Sequence, residues 1–447
     1  MSQSLGSDAA PEPGPQPFDE IDPKVPEPAP KRGLWRDGNF LTMWGGQTLS
    51  QFGAQITELA LPVLAVLLLQ ATEFEVGVLN AAGTAAFLLI GLPAGAWIDR
   101  MRKRHVMIWA DLVRAVALAA LPLLWWAGAL EIWHMVVVAL VMGVATVFFD
   151  VSYQSIIPSL VRDDQIADAN GKLQATQELA GIAGPAAGGW LIGLITAPFA
   201  ILATAVTYVL SLIALLRTRD TEVVAPKGSH DPLVRSIREG LAWVFGNPYL
   251  RRIVATTAVS NFFGTLTATL VPIFILRTLG LSPEVMGLVF MAGSLGGLAG
   301  AFATARIVAW VGEARAVPLS AIMFSVIALV LPVAAVVPSI AVPLLIAQNF
   351  LMIFAVLVYN ITQVTFRQRI TPKRLLGRMN ASIRFCVWGV MPIAALLAGG
   401  LGTWLGTTAT LWIGSFGALL SAAFVVFGPF WRRDLPAAAS EADPTAP

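Results

Sequence analysis

Long apolar runs dominate the chain, and short polar stretches interrupt them at regular distances. Runs able to cross ~30 Å of hydrocarbon, about 20 residues each, fall at 39–69, 76–98, 105–127, 133–157, 172–196 and 199–217, and again at 251–277, 285–310, 315–337, 340–366, 379–402 and 407–431. The pattern predicts twelve membrane-spanning helices. Spans five and six are separated only by the turn from Thr196 to Pro198, and spans nine and ten only by that from Val337 to Ser339. Both turns hold a proline, which disfavours helical backbone in the residue before it.

The same pattern repeats at a constant offset of 210 residues. Pro62 matches Pro272, Gly77 matches Gly287, Gly83 matches Gly293, Asn170 matches Asn380 and Gly189 matches Gly399. The chain therefore divides into two six-span bundles, 39–217 and 251–431, joined by a cytoplasmic connector at 218–250. Within the connector Leu233, Ile237, Leu241 and Val244 recur at helical spacing, as in an amphipathic helix lying on a membrane surface. Two repeated halves related by an axis along the membrane normal are a transporter architecture, with substrate held near midplane between them.

Polar residues inside apolar spans are where function is to be sought. In the first span Gln47, Gln51, Gln55 and Glu58 are spaced 4, 4 and 3, so they fall within about 80° of one helix face. A lipid-facing carboxylate costs about 2.5 kcal/mol or more, so the stripe faces the bundle interior or a cavity. Two readings stay open at this point. The stripe is a substrate-contacting surface ending in a carboxylate that loads and releases a proton, or it is interhelical glue with Glu58 paired to a polar neighbour.

Asp111 and Arg114 share a face of span three, and Asp150 lies at similar depth in span four. They form either a structural ion-pair network or a gate and proton relay. Glu178 in span five and Arg384 in span eleven sit about two turns in from the same side, as gate contacts or as structural groups. Asn261, Gln348, Asn349, Tyr359, Asn360 and Gln363 are further polar candidates for a cavity wall.

Charge gives the orientation. Arg and Lys cluster after spans two, four, six, eight, ten and twelve, and Arg277 is the one basic residue expected on the opposite side. The positive-inside rule then places both termini in the cytoplasm. Residues 1–38, rich in Pro, Asp and Glu, read as a disordered tail without a signal peptide, and 432–447 as a second tail.

Composition narrows the function class. The chain is 56% hydrophobic and 13% charged, against roughly 25% charged in soluble domains. A net charge of +2 gives no reason to expect nucleic acid. Cys386 is the single cysteine, and His105, His134 and His230 lie far apart, so neither a disulfide nor a metal site is expected. The sequence has no GxxxxGK[ST], GxSxG or HExxH pattern, which removes an ATP motor and common hydrolytic sites. No enzyme activity and no cofactor are expected.

The loop GAWIDRMRKRHVM, Gly95 to Met107, resembles the signature of the major facilitator superfamily in Gly95, Asp99, Arg100, Lys103 and Arg104, with Arg102 where a second glycine is usual. The resemblance implies that Asp99 caps the helix of span eleven and helps hold an outward-facing state. In span five, Gly171 and the run Gly184, Pro185, Gly188 and Gly189 resemble the antiporter motif of drug-exporting members, with Ala180 in place of a glycine. The stretch PSLVRDDQIADANGKLQ from Pro158 to Gln174 is similar to the branch of enterobactin-type and macrolide exporters. These resemblances imply an all-α fold of twelve transmembrane helices in two pseudo-symmetric bundles. They imply a monomeric exporter of a small hydrophobic or amphipathic molecule, working by alternating access with protons as partner; the Ala-, Arg- and Pro-rich composition fits a bacterium, and with it the cytoplasmic membrane. An importer of a small metabolite, or a receptor or assembly protein on a transporter scaffold, is the alternative.

Overall fold

The computed structural model describes residues 34–98, 101–162, 165–219, 233–372 and 375–431. Their regular structure is helical. The first half comprises α1 (Gly38–Val63), α2 (Glu73–Ile98), α3 (Lys103–Trp126), α4 (Ile132–Leu160) and α5 (Ile166–Arg217). The helix α6 (Leu233–Gly246) leads into the second half: α7 (Pro248–Ile273), α8 (Pro283–Val311), α9 (Glu313–Ala328), α10 (Val330–Val333), α11 (Ala341–Ile370), α12 (Leu376–Trp388), α13 (Met391–Leu405) and α14 (Thr407–Val426).

Eleven helical segments among the described residues are long and apolar enough to cross a membrane. The segment within α5 is 50 residues long, roughly 75 Å at 1.5 Å per residue, which exceeds a single crossing. Its backbone leaves helical geometry at Thr196, with φ 68° and ψ 161°. That break divides α5 into two crossings, in keeping with the twelve expected from the pattern. Span nine is α9 with α10, and span eleven is α12 with α13.

The repeat is visible in backbone detail. Asp37 caps α1 by accepting from the N–H groups of Asn39 and Phe40, and Asn247 caps α7 by accepting from Tyr249 and Leu250. Each carboxylate or amide oxygen satisfies donors that the first helical turn leaves unpaired. Pro62 and Pro272 lie in the last turn of α1 and α7, and each helix continues as a π-helical turn, Leu64–Leu68 and Phe274–Thr278. Proline supplies no N–H and crowds the carbonyl four residues back, so the two helix ends depart from α geometry at matching places. Gly406 joins α13 to α14 with φ 85° and ψ 159°, the conformation that Thr196 adopts in the first half.

The buried apolar groups reveal how the halves meet. We call the side carrying both ends of the described chain the near face, and the other the far face. The largest cluster unites both halves toward the far face, with Leu64, Val66 and Leu121 beside Phe274, Leu276 and Leu331. Toward the near face each half has its own cluster. Phe40, Met107 and Phe149 belong to one, and Val244, Phe324 and Phe366 to the other. The halves thus share a core at the far face and separate toward the near face.

Two matching helix crossings form that joint, α2 on α13 and α5 on α8. A Cβ on Gly77 would lie 2.8 Å from Gly399 Cα, and one on Gly189 would lie 2.8 Å from the Pro283 carbonyl and 3.4 Å from Gly287 Cα. Four of the glycines that mark the repeat therefore permit the close approach of the halves, since small residues are what let membrane helices touch.

Leu34, the first described residue, is buried, and Trp35 makes edge contact with Trp44 at 5.3 Å. Helix α6 docks on the second half, where Gly240 lies against the Arg378 carbonyl, Glu239 pairs with Arg378 and Val244 is buried.

Candidate functional site

The far-face joint roofs a cavity of about 530 Å³ lined by both halves, including Glu58 and Pro62 of α1, Asn80 and Thr84 of α2, and Thr269 and Pro272 of α7. Glu58 is exposed within this polytopic bundle, and it makes no hydrogen bond or ion pair with any described side chain. Pro62 has no N–H to bond the Glu58 carbonyl, so the backbone there is also free to turn a polar group to the cavity. Asn80 Nδ2 donates to Thr269 Oγ1 at 2.7 Å, which ties the two halves together beside Glu58.

The polar stripe of α1 does not share one environment. Gln47 is 4% exposed, Gln51 is half-buried, and Gln55 packs on α5, where a Cβ on Gly184 would lie 2.4 Å from its own Cβ. Only the end of the stripe, at Glu58, lines the cavity. The antiporter-like run lies along this contact and the next. Gly188 rests on Ile56 of α1, while Pro185 and Gly189 meet Gly287 of α8. Gly171 stands in open space near the start of α5.

The expected charge cluster is assembled inside the first half. Arg114 Nη2 donates to Asp111 Oδ1 at 2.6 Å, with both side chains almost fully buried. The guanidinium also lies over the rings of Phe149 at 4.0 Å and Tyr208 at 4.6 Å, a cation–π sandwich that replaces hydration. Asp150 of the first half is within electrostatic reach of Arg114 and of Arg384 on α12. Arg384 is exposed and stacks on Trp388 at 4.4 Å.

Other candidates serve the framework. Asn261 Nδ2 donates to the Val387 carbonyl at 2.8 Å, just before the break between α12 and α13. Arg104 donates to the carbonyls of Leu215 and Leu216, each at 2.8 Å, and so closes the end of α5. Glu178 accepts from Gln174 at 2.8 Å and is exposed. Asp99 and Arg100 lie outside the described residues.

The far-face closure includes groups that sequence reasoning did not single out as functional. Arg277, in the π-helical turn of the second half, donates to the carbonyls of Ala71 and Val66 in the first, both at 2.6 Å. Thr407 donates to Glu73 Oε1 at 3.1 Å across the same boundary. The available signal was Arg277 itself, a lone cation on a side otherwise lacking them. Its acceptors are backbone carbonyls, which no side-chain pattern reports.

A polytopic bundle pair with an unpaired carboxylate in the shared cavity defines a membrane transporter class. The Major Facilitator Superfamily model matches residues 43–392, and the chain belongs to that family. The multidrug efflux pump Tap of Mycolicibacterium fortuitum is 27% identical over 392 residues, covering 85% of this chain and 93% of Tap. Macrolide efflux protein A of Streptococcus pyogenes is 26% identical over 207 residues, 45% of this chain and 50% of that protein. Among solved structures, a bacterial homologue of the iron transporter ferroportin in an inward-facing state has TM-score 0.68 at 16% identity, covering 88% of this chain and 99% of the other. The nucleoside transporter NupG has TM-score 0.69 at 11% identity, covering 87% and 98%. These two likenesses establish the fold alone. The chain is an efflux-type transporter relative embedded in a membrane by many spans.

Proposed function

We propose that this protein exports a small hydrophobic or amphipathic molecule from the cytoplasm by alternating access, in exchange for protons that bind at Glu58. The observation that carries the reading is Glu58, unpaired and facing the cavity that both halves line. A carboxylate without a fixed countercharge in such a place is neutralised either by a proton or by cargo, and competition between the two couples their opposite movements. Efflux by the Tap and macrolide relatives supports the outward direction.

The charge pattern puts the near face in the cytoplasm. The far-face closure around Arg277 and the separate near-face cores then describe the state that accepts cargo from inside. Opening the far face requires the glycine crossings at Gly77–Gly399 and Gly189–Gly287 to part while the near-face groups, Asp150 and Arg384 among them, come together. Each half moves as a packed unit, and a monomer suffices.

The test is accumulation of ethidium, tetracycline and erythromycin in a pump-deficient bacterium expressing the chain, with and without a protonophore. The expected outcome is lower accumulation of at least one compound, abolished by the protonophore and by Glu58→Gln. Unchanged accumulation of every compound, with the protein present in the membrane, would overturn export of this class. Lower accumulation that survives Glu58→Gln would remove Glu58 from coupling.

A further inference from the structure

The second half contains a chamber at a place where the first half holds a buried cation–π pair. It encloses about 270 Å³ between α7, α8, α9, α10, α11 and α14, with Ser260, Phe263, Phe324, Gln348, Met352 and Ala418 in its wall. Ala268 and Phe290 line both this chamber and the Glu58 cavity, so the two adjoin. The 210-residue offset explains the asymmetry. Tyr208, Arg114 and Val138 of the first half correspond to Ala418, Phe324 and Gln348. In the first half Tyr208 and Arg114 fill the place as a buried cation–π pair; in the second, the phenol is reduced to a methyl group and the space stays open.

The chemistry of the wall defines what fits. No Asp, Glu, Lys, Arg or His is among the lining residues, so an ion would enter without a partner at high cost. The Asn349 amide is committed to the Val289 carbonyl at 2.7 Å, and the Thr267 hydroxyl to the Phe263 carbonyl at 2.8 Å. Gln348 is 8% exposed and has no hydrogen bond to a described residue. Its amide and the Ser260 hydroxyl, which also has no hydrogen bond to a described residue, are the open polar groups of an otherwise apolar, ring-sized space.

We infer that this chamber is a substrate subsite that takes a neutral, ring-bearing part of the cargo and hydrogen-bonds one carbonyl, hydroxyl or amide of it through Gln348, while the remainder stays in the Glu58 cavity. The inference deepens the export reading and rests on it for the word substrate. It divides the labour between the halves, with charge handled by the first and apolar recognition by the second.

The offset also supplies the control, because Ser260 in the chamber wall corresponds to Ser50, which is 3% exposed in the filled first half. In full-length protein carrying Cys386→Ser, held in lipid nanodiscs, Ser260→Cys and Ser50→Cys are compared for alkylation by N-phenylmaleimide, a neutral aromatic imide. Ser260→Cys is expected to react at least about tenfold faster, equivalent to roughly 1.4 kcal/mol of easier access. Adding Ala418→Phe or, independently, Met352→Phe is expected to lower its rate to that of Ser50→Cys. Equal rates at the two cysteines, or a fast rate that neither filling substitution slows, would overturn the subsite. Because labelling requires no transport, failure of the cell assay with labelling intact would count against export and leave the chamber standing.

Discussion

Glu58 and Asp111 are both acids within apolar spans, and their surroundings give them opposite tasks. Asp111 is 0% exposed and held by Arg114 between two aromatic rings; Glu58 faces a cavity without a partner. Removing one member of a buried ion pair leaves the other uncompensated, at about 3–5 kcal/mol, whereas replacing both by apolar groups often costs little. Thermal unfolding of purified Asp111→Leu and Arg114→Leu should therefore show a large loss for each, and the double variant should recover most of it. A double variant as unstable as the sum of the singles would contradict this expectation. The spacing of the stripe on α1 was legible in the sequence, as was the sharing of a face by Asp111 and Arg114. Which stripe residue reaches the cavity was not, because α1 meets different neighbours along its length. Gln55 is covered by the Gly184 turn of α5, and Glu58, one turn on, is not.

Elements follow from local chemistry repeated twice. Caps at Asp37 and Asn247, prolines before the π-helical turns, and the joints at Thr196 and Gly406 recur at one offset. At the joint the halves differ. Positive φ with extended ψ is a conformation that glycine adopts freely, and its cost to other residues is of order 1–3 kcal/mol. A β-branched threonine therefore holds the first joint under strain that the second lacks. Thr196→Gly should raise the unfolding midpoint, and Gly406→Thr should lower it, both in detergent-purified protein. The reverse order would contradict the strain. Proline marked this boundary in the sequence. The sharpness of the turn was not visible, since only the demand that α14 and the end of α5 return at once through the membrane imposes it.

For the whole molecule, the repeat was legible from a handful of prolines and glycines. Its meaning as two symmetric crossings, Gly77 on Gly399 and Gly189 on Gly287, required the fold, because the partner of each glycine lies in the other half. The same limit hid the Arg277 bridge and the asymmetric chamber. Every such feature depends on which half faces which, and a single-chain pattern carries no such information. The proposed mechanism is a rocking pair of bundles whose proton site is exposed to one side at a time. The most direct test uses inverted membrane vesicles energised to an acid interior and reported by a pH-sensitive acridine dye. Ethidium or tetracycline, whichever the cells exclude, is added to vesicles with the native chain and with Glu58→Gln. Compound addition is expected to release protons from native vesicles and not from Glu58→Gln vesicles. Uptake of the compound into native vesicles without proton release would contradict the mechanism.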